Sequence, residues 1–315
     1  MVITAPKTPF IKTLFNILLT LIGIFLLLAL AIATAFKVAD KTTSTLISSG
    51  EIRSYLLYVP DSYDPNTPTP LVISIHGFAE WPAHQAQISH WNDLADENGF
   101  IVVYPSGTGF PKRWRTMGEA AAPGDSMIEV QFFSDLVDHL EQTYNIDPAR
   151  IYANGLSNGG GMSYLLACKL ADRIAAIGSV AGAYVFPLDQ CKPSRPVPLI
   201  AFHGTSDPVV PFAGGPSRTF DVPFPVVTDW IKLWAERNQC AASPLVLPVD
   251  EEVNGFRFVN CIQNAEVVFY IIVGGGHAWP GGEPIPAWIA GYTSQHIDAT
   301  RVIWEFFKQH PLTTP

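Results

Sequence analysis

Three stretches of this chain carry residues that could do nucleophilic chemistry. The first is Ile151-Tyr-Ala-Asn-Gly-Leu-Ser157-Asn-Gly-Gly160, in which a short apolar run reaches Gly155 and a helical stretch (Met162 to Ala171) follows. Gly155-Leu-Ser157-Asn-Gly159 is the Gly-x-Ser-x-Gly pattern of a nucleophile elbow, a sharp strand-to-helix turn that projects a serine hydroxyl above a sheet edge. The flanking glycines leave the backbone free to make the turn, and the N-terminus of the following helix points partial positive charge at the reacting centre. The second stretch is Leu199-Ile-Ala-Phe-His-Gly-Thr-Ser-Asp207-Pro-Val-Val-Pro211, with Asp207 in the loop after a strand. Such an aspartate can accept the Nδ1 proton of a histidine and set its tautomer. Asp221 and Asp229 are poorer candidates, since neither follows a strand. The third is Gly274-Gly-Gly-His277-Ala-Trp-Pro-Gly-Gly282, after the last strand. The order Ser157, Asp207, His277 is that of α/β-hydrolases. The other histidines, His76, His84, His90, His139, His203, His296 and His310, lack this context; His76 and His203 sit at strand ends and are expected to bond locally.

An acyl-transfer site also needs two donors for the developing oxyanion. One is expected to be the backbone N–H of Asn158, next to the serine. The other is expected from the turn His76-Gly77-Phe78 that ends an early strand, with the Phe78 N–H as donor. Trp81, Trp114, Trp279 and Trp288 fall in expected loops at the same edge and are candidates for an aromatic substrate cleft, Trp279 foremost. Trp230, Trp234 and Trp304 lie on helices and read as core.

The elements that must position these residues are legible as strands alternating with helices. Strands are expected at 51–60, 71–75, 100–104, 150–154, 174–180, 199–202 and 267–273, and a small hairpin at 246–249 and 256–260. Helices are expected at 88–98, 129–143, 162–171, 228–237 and 300–308. The continuous apolar run Leu71–Ile75 suits a strand covered on both faces. The pattern predicts an α/β fold with a mostly parallel sheet, in one catalytic domain over 51–315.

Lys7 and Lys12 precede an apolar run from Leu14 to Phe36, and Ala33-Thr34-Ala35 would serve as a cleavage site. The run is longer than a usual signal h-region and close to the ~20 residues that span a bilayer. Residues 1–36 are therefore a signal peptide or a membrane anchor, and both export the rest; a tether through residues 14–36 follows from the second. Residues 37–50 read as a Thr/Ser-rich linker. A net charge of −9 argues against nucleic acid or anionic lipid as partner. The four cysteines lack metal-ligand spacing, so no metal is expected. Cys168 with Cys191 and Cys240 with Cys261 are the local pairings among three connectivities; four buried thiols stay open as the alternative.

The strings Gly155-Leu-Ser-Asn-Gly-Gly160, His203-Gly-Thr-x-Asp207-Pro-Val-Val-Pro211 and Gly274-Gly-Gly-His-x-Trp-Pro-Gly281 together resemble the polyhydroxybutyrate depolymerase and feruloyl esterase family, over about residues 50 to 310. The resemblance implies an α/β-hydrolase fold, a mostly parallel central sheet with helices on both faces, and an exported, cofactor-free hydrolase of carboxylic esters, small or oligomeric, with Ser157 as nucleophile, Asp207 as acid and His277 as base. It also supports the Cys240–Cys261 pairing. Gly161 stands where the family more often has methionine, and Ile128-Glu-Val-Gln-Phe132 replaces its usual Asp-Asp-Val-Gly-Phe, which weakens transfer of any substrate contact from that helix. Polymer-degrading members often carry a further binding domain after the point matching residue 310, so insoluble polyester is not the expected substrate. A peptidase or amidase of the same fold, and a non-catalytic hydrolase-like binding module, are the rival readings.

Overall fold

The computed structural model describes residues 13, 15–28, 41–116, 125–216 and 223–313. The chain divides into two compact units, residues 1–41 and 42–315. In the first, the described residues 15–28 form helix α1, whose apolar side chains are exposed. Among the described residues no helix is long and apolar enough to cross a membrane. Lys7, Lys12, Leu14, the rest of the apolar run to Phe36 and the Ala33-Thr34-Ala35 site lie outside the described residues, as does Asp221.

The second unit is built on one ten-stranded sheet, in the order β1-β2-β4-β3-β5-β6-β7-β10-β9-β8. Its strands are β1 (Ser44–Ser48), β2 (Glu51–Tyr58), β3 (Thr69–Ile75), β4 (Ile101–Pro105), β5 (Ile146–Leu156), β6 (Ala176–Val180), β7 (Leu199–Gly204), β8 (Leu245–Asp250), β9 (Val253–Phe258) and β10 (Val267–Ile272). The central run β4-β3-β5-β6-β7-β10 is parallel, with antiparallel pairs at both edges. All seven residues of β3 are buried, as in a strand covered on both faces, and its inner polar residue Ser74 donates to Asn154 Oδ1 at 3.0 Å.

The two-residue pleat sorts the core. Leu71, Ile73, Ile75, Ile151, Ala153, Leu199 and Ala201 face α4 (Asp125–Thr143), α5 (Asn158–Lys169) and α6 (Val227–Arg237). Val72, Val102, Tyr152, Ile200, Phe202 and Val268 face α2 (Pro82–Ser89), α3 (Trp91–Asn98) and α8 (Ala299–Lys308). On α4, Glu129 is fully buried, its Oε2 2.7 Å from Arg53 Nη2 on β2. Burial pushes its carboxyl up against the opposing pull of Arg53 and Arg115.

Two expectations change. The linker read over 37–50 ends earlier, because Ser44–Ser48 pairs antiparallel with β2 as an edge strand. Its alternating burial on a Ser/Thr-rich segment is the pattern of a half-exposed edge. The single helix expected at 88–98 is two, α2 and α3, because His90 adopts φ 54° and turns the chain between them.

Disulfides join Cys168 to Cys191 and Cys240 to Cys261. The first ties the end of α5 to a point 23 residues on. Closing such a loop disfavours the unfolded chain by about 3 kcal/mol. Replacing both Cys168 and Cys191 by serine is expected to lower the urea midpoint accordingly; an unchanged midpoint would remove the bridge from the account of stability.

Candidate active site

All three chemistry-bearing stretches emerge at the carboxyl ends of parallel strands, where open α/β sheets build their sites. Ser157 follows β5 and caps α5, with φ 57° and ψ −117°. A non-glycine residue in this region is strained and needs its surroundings to hold it. Its N–H donates to Val180 O (2.9 Å), and its carbonyl accepts from Gly161 N (3.0 Å) and Ala183 N (2.9 Å). The turn also needs Gly159. A Cβ there would lie 2.1 Å from Ile75 O and 2.6 Å from His76 O, both backbone atoms that cannot step aside. Gly159→Ala is expected to cost about 3 kcal/mol of stability by overpacking and to cut activity at least tenfold. Urea unfolding alongside turnover checks this, and wild-type behaviour in both would show that the elbow tolerates a side chain there.

Asp207 lies in the loop after β7 with its side chain fully buried. Its Oδ1 accepts from the Val209 and Val210 amides, each at 2.8 Å. Its Oδ2 is 2.8 Å from His277 Nδ1. Burial pushes the Asp207 carboxyl up, but the His277 hydrogen bond and charge, His203 and the Val210 amide outweigh it and hold it below the ordinary carboxylate range. His203 is buried beside it, with Nε2 3.5 Å from Asp207 Oδ2 and 2.8 Å from Val210 O. Burial pushes His203 down, and its Nε2–H donates to Val210 O in the Asp207 loop. His277 follows β10, its N–H donating to Ala290 O. Gly276 makes that approach possible, since a Cβ on it would lie 2.1 Å from Ala290 O. Ser157 and His277 line one cleft with Gly77, Phe78, Glu80, Val209, Val210, Phe224, Ile285, Ile289 and Ala290.

The turn after β3 sorts its own amides. Gly77 N–H donates to Glu80 Oε2 (2.8 Å), Ala79 N–H to Lys112 O (2.8 Å) and Glu80 N–H to Gly77 O (3.4 Å). Asn158 N–H stands at the first position of α5, where no intrahelical acceptor exists, and Phe78 lines the same cleft as Ser157. The Asn158 side chain is occupied elsewhere: Oδ1 accepts from Trp114 N (2.7 Å), and Nδ2 donates to Trp114 O and Thr116 Oγ1. His76 bonds locally, accepting from Gly107 N at Nε2 and donating from Nδ1 to Gly77 O.

Two of the four tryptophans expected in a substrate cleft are core. Trp114 is buried against Phe132, Phe133 and His76, its Nε1–H donating to His76 O. Trp279 is buried too, its Nε1–H donating to Thr300 Oγ1. Each indole turns inward because a buried acceptor satisfies its N–H. Trp81 caps α2 with its ring against His84. Trp288 is 86% exposed on the short helix α7 (Ala287–Ala290), beside the cleft residue Ile289. Glu80 was not among the expected site residues; its only advance signal is the Glu80-x-x-x-His84 spacing of an i,i+4 pair.

The Esterase PHB depolymerase family model matches residues 53–210, half of the chain. The bifunctional acetylxylan esterase/xylanase of Neocallimastix patriciarum is 36% identical over 51% of this chain and 22% of its own length. Feruloyl esterase B of Piromyces equi is 31% identical over 73% of this chain and 44% of its own length. The chain thus spans less than half of either relative. Among solved structures, an acetyl xylan esterase from Aspergillus awamori superposes with a TM-score of 0.55 at 16% identity, covering 75% of this chain and 92% of that one. That likeness is one of fold, the α/β-hydrolase arrangement of a mostly parallel sheet between two helical layers.

Proposed function

Because the chain belongs to the esterase PHB depolymerase family, we propose that it is a serine esterase that hydrolyses carboxylic esters through an acyl-enzyme on Ser157. The observation that carries this is the convergence of Ser157, held at positive φ between β5 and α5, and the Asp207–His277 pair in one cleft. In this reading Asp207 fixes His277 with its proton on Nδ1, leaving Nε2 free to take the Ser157 hydroxyl proton. Ser157 Oγ attacks the ester carbonyl, and the oxyanion rests on the Phe78 and Asn158 amides. His277 returns the proton to the leaving alcohol, and water then cleaves the acyl-enzyme by the same steps. Each amide donor contributes roughly 3 kcal/mol of transition-state stabilisation.

Feruloyl and acetyl esters are the first substrates to try, since relatives carry those names, followed by soluble 3-hydroxybutyrate oligomers. The apolar wall of Phe78, Val209, Phe224, Ile285 and Ile289 suits an acyl or aryl group, with Trp81 and Trp288 as outer contacts. The two disulfides favour an oxidising, extracytoplasmic location. The test is turnover of p-nitrophenyl acetate, butyrate and octanoate, methyl ferulate and 3-hydroxybutyrate oligomers by the full chain, with matched anilides beside them. Ester turnover without anilide turnover is expected. Turnover of neither sinks the reading, and preference for anilides would make the protein an amidase.

A further inference from the structure

Glu80 stands in the wall of the cleft, and no step of the proposed hydrolysis uses it. Its Oε2 accepts from Gly77 N at 2.8 Å, and Oε1 lies 3.5 Å from His84 Nδ1. A Cβ built on Gly77 would lie 2.8 Å from Glu80 Oε2 and 3.4 Å from Ser157 Cβ. The carboxylate and the serine therefore both lie beside Gly77. Burial pushes the Glu80 carboxyl up, but His84 and the Gly77 amide outweigh it and keep the group ionised.

A carboxylate has about four lone-pair sites, and these partners take two. Its side chain is 18% exposed and lines the cleft. Around it the wall is Phe78, Val209, Val210, Phe224, Ile285 and Ile289. Among the described residues lining the cleft there is no lysine or arginine. With His84 as its one ion-pair partner among the described residues and no lysine or arginine in the lining, the Glu80 carboxylate is weakly screened in a mostly apolar wall and acts on a second charge that enters the cleft.

We propose that Glu80 is a specificity-determining residue that makes this cleft accept esters with neutral or cationic acyl and alcohol groups and reject esters bearing a second carboxylate. The proposal rests on the esterase reading above. The same contact also steadies the Gly77–Phe78 turn, so charge and positioning must be read apart. Glutamine keeps an oxygen for the Gly77 N–H and removes the charge; alanine removes both.

The experiment compares kcat/KM for p-nitrophenyl hemisuccinate, an anionic ester, with that for neutral p-nitrophenyl butyrate. E80Q is expected to raise the anionic-to-neutral ratio about tenfold over wild type. E80A is expected to lower kcat for both esters by a common factor and to raise the ratio equally. E305Q makes the same change in net charge on exposed α8 and is expected to leave the ratio within about twofold. An unchanged ratio in E80Q and E80A, or an equal rise in E305Q, overturns the proposal. If no ester is turned over, the esterase reading fails separately, and charge preference is read by binding. Hexylammonium is then expected to raise the wild-type Tm more than hexanoate, with the difference lost in E80Q. Equal shifts by the two ions in the wild type would overturn the proposal even if neither variant folds.

Discussion

Ser157→Ala is expected to lower kcat on the best ester by about 10⁶-fold while leaving the fold intact. The size follows from the chemistry. In the proposed mechanism no acyl-enzyme forms without Oγ, and what survives is the help that the Phe78 and Asn158 amides and substrate binding would give to attack by water, typically 10³ to 10⁴ over the uncatalysed rate. The harmlessness to the fold follows from the local structure. The backbone of Ser157 supplies the contacts that hold the elbow, to Val180, Gly161 and Ala183. Alanine keeps all three and pays no more than serine for a φ of 57°. The loss should therefore show in kcat with little change in Tm. A variant that retains wild-type turnover would mean that another group does the chemistry, and an organophosphonate that labels the wild type but not the variant would locate the nucleophile independently.

Much of this arrangement is readable before any coordinates, and for identifiable reasons. Strands at the centre of a parallel sheet are mostly apolar, so β3, the second half of β5, β7 and β10 stand out, and each is followed by a glycine-containing turn that carries one chemical group. The edges are harder. Ser44–Ser48 has alternating exposure and few apolar side chains, so nothing in its composition separates it from a linker until β2 is there to pair with. His90 breaks the helix expected at 88–98 through a backbone angle that its residue type does not announce. Position along the chain also says little about which way a large side chain turns. Trp114 and Trp279 lie in loops at the catalytic edge as read, yet both indoles point into the core, because His76 O and Thr300 Oγ1 accept their N–H groups. Glu80 is the converse. A glutamate shortly after a glycine turn reads as solvated surface, and only the closing of that turn brings its carboxylate onto Gly77 N.

Asp207→Asn should lower kcat by about 10⁴-fold, and the hydrogen bonds around residue 207 dictate how. Oδ1 accepts two backbone N–H groups, from Val209 and Val210. An asparagine must keep its carbonyl oxygen on those two donors, since turning its amide there would leave three N–H groups facing one another. Its NH₂ therefore takes the place of Oδ2 and points at His277 Nδ1. To receive that proton, Nδ1 must be bare, and the imidazole proton moves to Nε2. In the proposed mechanism Nε2 has to accept the Ser157 proton, so the base would be present but in the wrong tautomer. Geometry is kept, KM should change little, and the loss falls on kcat. The variant also makes a prediction about stability. Asp207 has a depressed pKa in the folded chain, so its contribution is present above the unfolded value near pH 4 and disappears as pH falls through the lower folded value. Asparagine has no such titration, and urea midpoints measured from pH 7 down to pH 3 should fall less steeply for the variant than for the wild type. Parallel acid limbs would mean that the Asp207 carboxylate is not the ionised partner of His277, and a kcat within tenfold of wild type would mean that His277 does not depend on it.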